Sequence, residues 1–247
     1  MHHDPVERPQ GRPPQPPTAA QRRPLRRDPR PARRELTCWS TDQASAFLRH
    51  CRTVESPLAD LFHVMVCTGM RKGEVLGLHW ADVDVDARTL FVRWTLVSVD
   101  NCRSMFNAPK THGSRAWVAL FARAVDALQR QRRRQRRQQL AARHYDDLDL
   151  IFARPDGLPL RPQYVLDHLR RLTAGAGLPA IRVHDLRHVA ATIMINQSVP
   201  LAVVSKTLRH KNVATTVDLS RHLTRDAADD GVSATCAALD AAEARAA

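Results

Sequence analysis

Between His184 and His222 the chain gathers groups that hold and protonate oxyanions. The stretch reads V-H-D-L-R-H-V-A-A-T and, further on, K-T-L-R-H-K-N-V-A-T-T-V-D-L-S-R-H-L. His184, Arg187, His188, His210, Arg221 and His222 supply imidazole and guanidinium groups at spacings that a helical scaffold can gather around one phosphate. His184 and Arg187 fall on one helix face at i, i+3, and His188 joins His184 at i, i+4. Two histidines one turn apart also suit a metal ion. No acidic or cysteine ligand at suitable spacing completes such a site, and Arg187 would set a positive charge beside the ion, so no metal is expected.

Two upstream residues fit the same chemistry. Arg71 follows a helix-terminating glycine in T-G-M-R-K-G-E-V-L-G-L. An arginine held there offers a fork of N–H donors to two phosphate oxygens, and Glu74, three residues on, is placed to orient it. An ordinary surface arginine is the competing reading. Lys110 lies in P-K-T, and only Lys72, Lys110, Lys206 and Lys211 among the 38 basic residues are lysine. Lysine can shift its pKa and donate a proton near neutrality, which arginine cannot. That suits a general acid, although a plain turn lysine fits the residue type as well.

Composition points the same way. A formal charge of +13 with a pI near 10.8 suggests a polyanionic partner, nucleic acid first; an arginine-rich genome is the plainer account. The hydrophobic fraction of 43% is that of an ordinary folded domain. Cys38, Cys51, Cys67, Cys102 and Cys236 are scattered, odd in number and without a C-x-x-C pair, which argues against a disulfide framework or a zinc ribbon. Reduced thiols in the cytoplasm are the simplest reading. No apolar run reaches the ~18 residues of a membrane span, and the basic N-terminus has no apolar core of a secretory signal.

The elements that must position these groups read mainly as helices. Residues 1–35 hold nine of the sixteen prolines and almost no large apolar residue, and are expected to be a disordered Pro/Arg-rich leader. Either a basic arm on DNA or an unselected leader fits it. Ser40 with Gln43 is a capping box opening a helix to about Arg49. A second helix from Pro57 carries Leu58, Leu61, Phe62, Met65 and Val66 on one face and stops at Thr68-Gly69. Arg71 to Leu78 reads as a short helix with Val75 and Leu78 inward. T-L-F-V-R-W, T-L-V-S-V and R-A-W-V-A-L over residues 82–120 suggest a small three-stranded antiparallel β-sheet, with N-A-P-K-T-H-G-S in the turn before the last strand. From Phe121 a helix runs into Arg130 to Arg137, six arginines without an acid. A solvated face is the first reading of that run and a phosphate-tracking face its rival. L-D-L-I-F-A-R, a turn at Asp156-Gly157, a helix from Pro162 to Thr173 and three motif helices follow. The tail from Asp226 docks as a helix or frays.

The ordered motifs T-G-M-R-K-G-E, P-K-T, H-D-L-R-H and L-R-H-x4-T-T-x-D-L resemble those of the tyrosine recombinases, the phage-type integrase family, from Leu36 to Leu239. The resemblance implies a mainly α, DNA breaking-rejoining catalytic domain over residues 36–239, followed by a tail at 240–247. It implies DNA recombination and DNA integration by a DNA-binding protein of a mobile element. The partner would be double-stranded DNA, bound as a homo-oligomer or hetero-oligomer, with no metal, nucleotide or other cofactor and no membrane. The expected location is cytoplasmic and nucleoid-associated. Arg71 and Arg187 would clamp the scissile phosphate, Lys110 would protonate the leaving 5′-hydroxyl, His184 would assist at the nucleophile, and His210 would hydrogen-bond a phosphate oxygen. Positioned cations stabilise the charge gathered on the equatorial oxygens of phosphoryl transfer.

Two departures shape the expectation. Where the family has its nucleophilic tyrosine, two residues before His222, this chain has Ser220; its tyrosines, Tyr145 and Tyr164, match no catalytic position. A serine hydroxyl lies about 4 Å closer to its backbone, and ~1 Å of misplacement already costs ~10²-fold. It is also a much weaker acid than a phenol of pKa ~10. A pseudoenzyme that binds DNA but scarcely cleaves it is expected; the alternative is a non-catalytic DNA-binding or regulatory module competing at recombination sites. The family's helical core-binding domain is also replaced by the short leader, which suggests a truncated integrase.

Overall fold

The computed structural model describes residues 38–99, 103–108 and 117–209. The leader, Lys110, His210, Ser220, Arg221, His222, the third motif helix and the tail lie outside the described residues.

Helix α1 (Thr41–Thr53) opens on the Ser40–Gln43 capping box: Gln43 N donates to Ser40 Oγ at 3.2 Å and Ser40 N to Gln43 Oε1 at 3.0 Å. Its inward face, Ala44, Phe47, Leu48 and Cys51, packs on α2 (Ala59–Thr68). α2 is apolar nearly all round, as a helix with no solvent face must be; every residue but Cys67 is buried. α1, α4 (Ala122–Ala141) and α6 (Asp185–Asn196) pack against it. Trp39, Phe47 and Phe62 form an aromatic run, the first pair tilted and the second edge-on, with centroids 4.9 and 5.4 Å apart. α5 (Pro162–Gly175), opened by Pro162 in its first turn, packs on α1. The short α3 (Lys72–Leu76) follows α2 directly. A smaller apolar cluster of Ala191, Ile195, Val204 and Leu208 joins α6 to α7 (Leu201–Thr207). Burying Val204 and Leu208 fully contributes about 1.5–3 kcal/mol each.

The β region corrects one expectation. β1 (Val83–Asp84), β2 (Thr89–Phe91) and β5 (Trp117–Ala119) make a three-stranded antiparallel sheet with Leu90 opposite Val83 and Val118. T-L-V-S-V is not one of its strands. It is β3 (Thr95–Val99), paired with β4 (Arg103–Asn107) as a separate antiparallel hairpin. The alternation in each run was legible; which runs share a ladder depends on what packs beneath them. Here that is α3. A Cβ on Gly73 would lie 2.8 Å from Leu96 O, and one on Gly77 2.8 Å from Trp94 O. The two glycines, one helical turn apart, let the β3 backbone rest directly on α3.

The arginine run of α4 is also more than a solvated face. Its glutamines turn inward: Gln131 is 2% and Gln135 5% exposed. Gln131 Nε2 donates to Ile151 O at 2.6 Å; Gln135 Nε2 donates to Leu150 O and to Tyr145 Oη, both at 2.8 Å, and Gln135 Oε1 accepts from Trp80 Nε1 at 2.7 Å. Two buried amides thus stitch α4 to the 145–151 segment with their polarity satisfied. Arg132, Arg133, Arg136 and Arg137 stay exposed. No helix among the described residues is long and apolar enough to cross a membrane.

Candidate functional site

The site begins where α2 stops. Gly69 caps the helix in the left-handed conformation, φ 61° and ψ 20°, a geometry open to residues without a Cβ. A Cβ there would also fall 2.2 Å from Leu208 Cδ2, so the glycine admits the end of α7 as well as ending α2. Two residues later Arg71 is the N-cap of α3. Its backbone N–H donates to Glu74 Oε2 at 3.0 Å and its Nη1 to Glu74 Oε1 at 2.8 Å. The i, i+3 spacing therefore orients the arginine as expected, and the Glu74 side chain is only 3% exposed against 35% for Arg71.

Arg187 reaches the same junction from the first turns of α6. It is 2% exposed; Nη1 donates to Gly69 O at 2.7 Å and Nη2 to Leu208 O. Burial, then the Arg71 charge, pulls its pKa down to about 9, which still leaves it cationic at neutral pH. The guanidinium is thus a brace between the end of α2 and the end of α7 as well as a buried charge. His184, the N-cap of α6, stands exposed beside it. Partial desolvation, then the Arg187 charge, holds its imidazole below the ordinary histidine range. His188 lies edge-on to His184, with ring centroids 5.1 Å apart and planes at 89°. Desolvation and then His184 lower its pKa too, and its buried Nδ1 has no hydrogen-bond partner among the described residues. Among those residues no group of three His, Cys, Asp or Glu is placed to hold a metal ion.

The backbone of α6 starts where it does because Asp185 is locked. Arg182 donates to it through its backbone N–H at 2.8 Å, Nε at 3.1 Å and Nη2 at 2.9 Å. Burial works to raise the Asp185 pKa, but these bonds outweigh it and the net direction is down. An ionised carboxylate in the first turn also suits the helix dipole.

Arg209 was missed by sequence reasoning. It ends the α7 turn, donates through Nη2 to Glu74 Oε2, and its carbonyl accepts from Arg71 Nη2 at 3.3 Å. Its side chain is 5% exposed. Burial lowers its pKa, against the raising effect of Glu74. The only signal in the sequence was its place beside His210 in L-R-H. Of the expected site residues, then, Arg71, His184 and Arg187 come together, with Glu74 and Arg209 added. Lys110, His210 and Ser220 lie outside the described residues; Arg71 and Arg187 hold the α7 turn by the carbonyls of Arg209 and Leu208.

Comparison with known proteins agrees with this architecture. The sequence pattern of the phage integrase family matches residues 39–225. A XerC-like tyrosine recombinase of Caldanaerobacter subterraneus subsp. tengcongensis is 29% identical over 178 residues, covering 67% of this chain and 46% of the relative. The ICEBs1 integrase of Bacillus subtilis is 26% identical over 193 residues, covering 77% of this chain and 52% of the relative. The chain thus spans about half the length of these relatives. Among solved structures, the Tn1549 transposon integrase in complex with transposon right end DNA superposes with a TM-score of 0.68 at 19% identity, covering 80% of this chain and 65% of that one. XerA recombinase gives 0.63 at 21% identity, covering 81% and 65%.

Proposed function

Because the chain belongs to the phage integrase family, we propose that it binds the phosphodiester backbone of duplex DNA at the Arg71–Arg187–His184 junction and is defective in cutting it. The observation that carries this is the convergence of Arg71 and Arg187, from well-separated parts of the sequence, on one carboxylate-oriented cationic junction with an imidazole at its edge. Arg71, partly exposed and held by Glu74, meets the phosphate oxygens. Arg187 adds charge from below in a medium that screens it weakly.

In a competent site an oxygen nucleophile at position 220 would attack the phosphorus and form a phosphoester to the 3′ side. The P–O5′ bond would break as Lys110 delivers a proton to the 5′-oxygen. His184 would take up the nucleophile's proton, and His210 would hydrogen-bond a non-bridging oxygen. With Ser220 at that position the hydroxyl stops short of the phosphorus and is scarcely ionised, so binding survives and cleavage does not. The protein then occupies recombination sites in the cytoplasm, on nucleoid DNA, alone or beside other protomers.

A nicked suicide DNA substrate tests the chemistry. The wild type forms no covalent adduct, and Ser220→Tyr gains one. A wild-type adduct that Ser220→Ala abolishes would overturn the defect. Binding to a short duplex that does not weaken steeply with salt would remove DNA itself from the reading.

A further inference from the structure

Arg209 has a conformation and an environment that nothing in the reaction so far explains. Its φ is 54°, in the left-handed region that L-residues rarely adopt and glycine adopts freely. Its side chain is 95% removed from solvent, since only 5% is exposed. Nη2 is taken by Glu74, while Nε and Nη1 are buried without a hydrogen-bond partner among the described residues. Burying N–H donors of a charged group with no acceptor is costly, and native structures rarely do so without a use for them. A glycine at this position would relieve the backbone and remove the orphaned donors together. The arginine is therefore unfavourable on both counts for the fold alone.

The surroundings suggest the use. Glu74 orients Arg209 as it orients Arg71, and Arg71 also grips the Arg209 carbonyl, so the two guanidiniums are tied to one frame. Glu74 is a single carboxylate amid three arginines, and burial, with the Arg71 charge adding to it, lowers the proton affinity of both Arg187 and Arg209. Such a group is completed by an anion. Because Nη2 is pinned in advance, little ordering remains when that anion arrives.

We propose that Arg209 is a third anion-binding arginine of this junction, its unused N–H groups donating to an oxygen of a tetrahedral phosphate held at Arg71. The inference rests on the junction being a phosphate site, and it adds a ligand that the sequence motifs did not assign.

The test uses sulfate as the probe. The full-length chain is melted in rising sulfate at constant ionic strength, with chloride replaced, alongside Arg209→Gly and Arg71→Gln. The wild type gains melting temperature with sulfate. Arg209→Gly melts at or above the wild type without sulfate, because the left-handed backbone is relieved, and loses more than half of the sulfate-induced gain. Its affinity for a short DNA duplex falls several-fold. A full sulfate response in Arg209→Gly, with the response lost in Arg71→Gln, overturns the role of Arg209 and leaves the phosphate site standing. A wild type that responds to neither sulfate nor DNA overturns both. If Arg209→Gly does not fold, Arg209→Gln is read against the same two outcomes.

Discussion

The Arg187 guanidinium donates through Nη1 to the Gly69 carbonyl at 2.7 Å, joining the end of α2 to the start of α6 across 118 residues of sequence. Through Nη2 it also holds Leu208 O, so three segments meet on one side chain. Gly69 makes this possible twice over, by its left-handed φ of 61° and by leaving room for Leu208.

Replacing Arg187 with alanine removes the donor from two carbonyls at a 2% exposed position and leaves a cavity. The expected loss is about 2–5 kcal/mol, or a fall in melting temperature of roughly 5–15 °C. A thermal melt in which Arg187→Ala stays within a degree of the wild type would mean that the side chain serves the ligand alone.

Glu74 is the common acceptor for Arg71 and Arg209. Glu74→Gln leaves the buried Arg209 charge without its carboxylate and should cost about 3–5 kcal/mol. Arg71→Ala should cost less, because the Arg71 side chain is 35% exposed and Glu74 keeps Arg209. Chemical denaturation orders the two variants; the reverse order would contradict this account.

Gly77→Ala sets a Cβ 2.8 Å from Trp94 O and 2.9 Å from its carbonyl carbon. Backbone cannot turn aside as a side chain can, so the β3–β4 hairpin must lift from α3, at about 1–3 kcal/mol. Faster amide exchange confined to residues 94–107 is the expected signature. Unchanged exchange there would show that α3 yields instead.

Acid should destabilise the fold before any carboxylate titrates. His63 is fully buried; its Nε2 must accept from Arg52 Nη2 at 2.6 Å, which leaves Nδ1–H to face Ala59 O at 3.4 Å. Burial, then the Arg52 charge, pulls its pKa from 6.5 to about 4, with Arg130 and Arg123 adding in the same direction. The folded protein therefore binds fewer protons than the unfolded chain between those values. Stability is full above about 6.5 and falls as pH drops towards about 4, by up to about 3 kcal/mol. His184, His188 and His168 shift in the same direction and add to the loss. His63→Gln keeps an acceptor for Arg52 without titrating and should flatten the profile; an equally steep profile would assign the loss to other groups.

What the amino-acid sequence determined by itself is what local geometry governs. Ser40 with Gln43, Gly69 after Thr68, and Arg71 with Glu74 are neighbours along one turn of chain, so their capping, left-handed and ion-pair roles follow from helix geometry wherever the rest of the protein lies. The ordered motifs from Thr68 to Leu219 likewise carried the family resemblance on their own. Tertiary structure alone decided the longer contacts. T-L-V-S-V and R-A-W-V-A-L have the same alternation, yet only the second joins β2, because α3 receives the first on its two glycines. Gln131 and Gln135 look like surface residues among arginines until Leu150 and Ile151 arrive as acceptors. Arg209 looks like one more basic residue until the α7 turn brings it 135 positions back to Glu74. Polar side chains prefer water on their own; whether they are buried depends on partners that only the folded chain brings within reach.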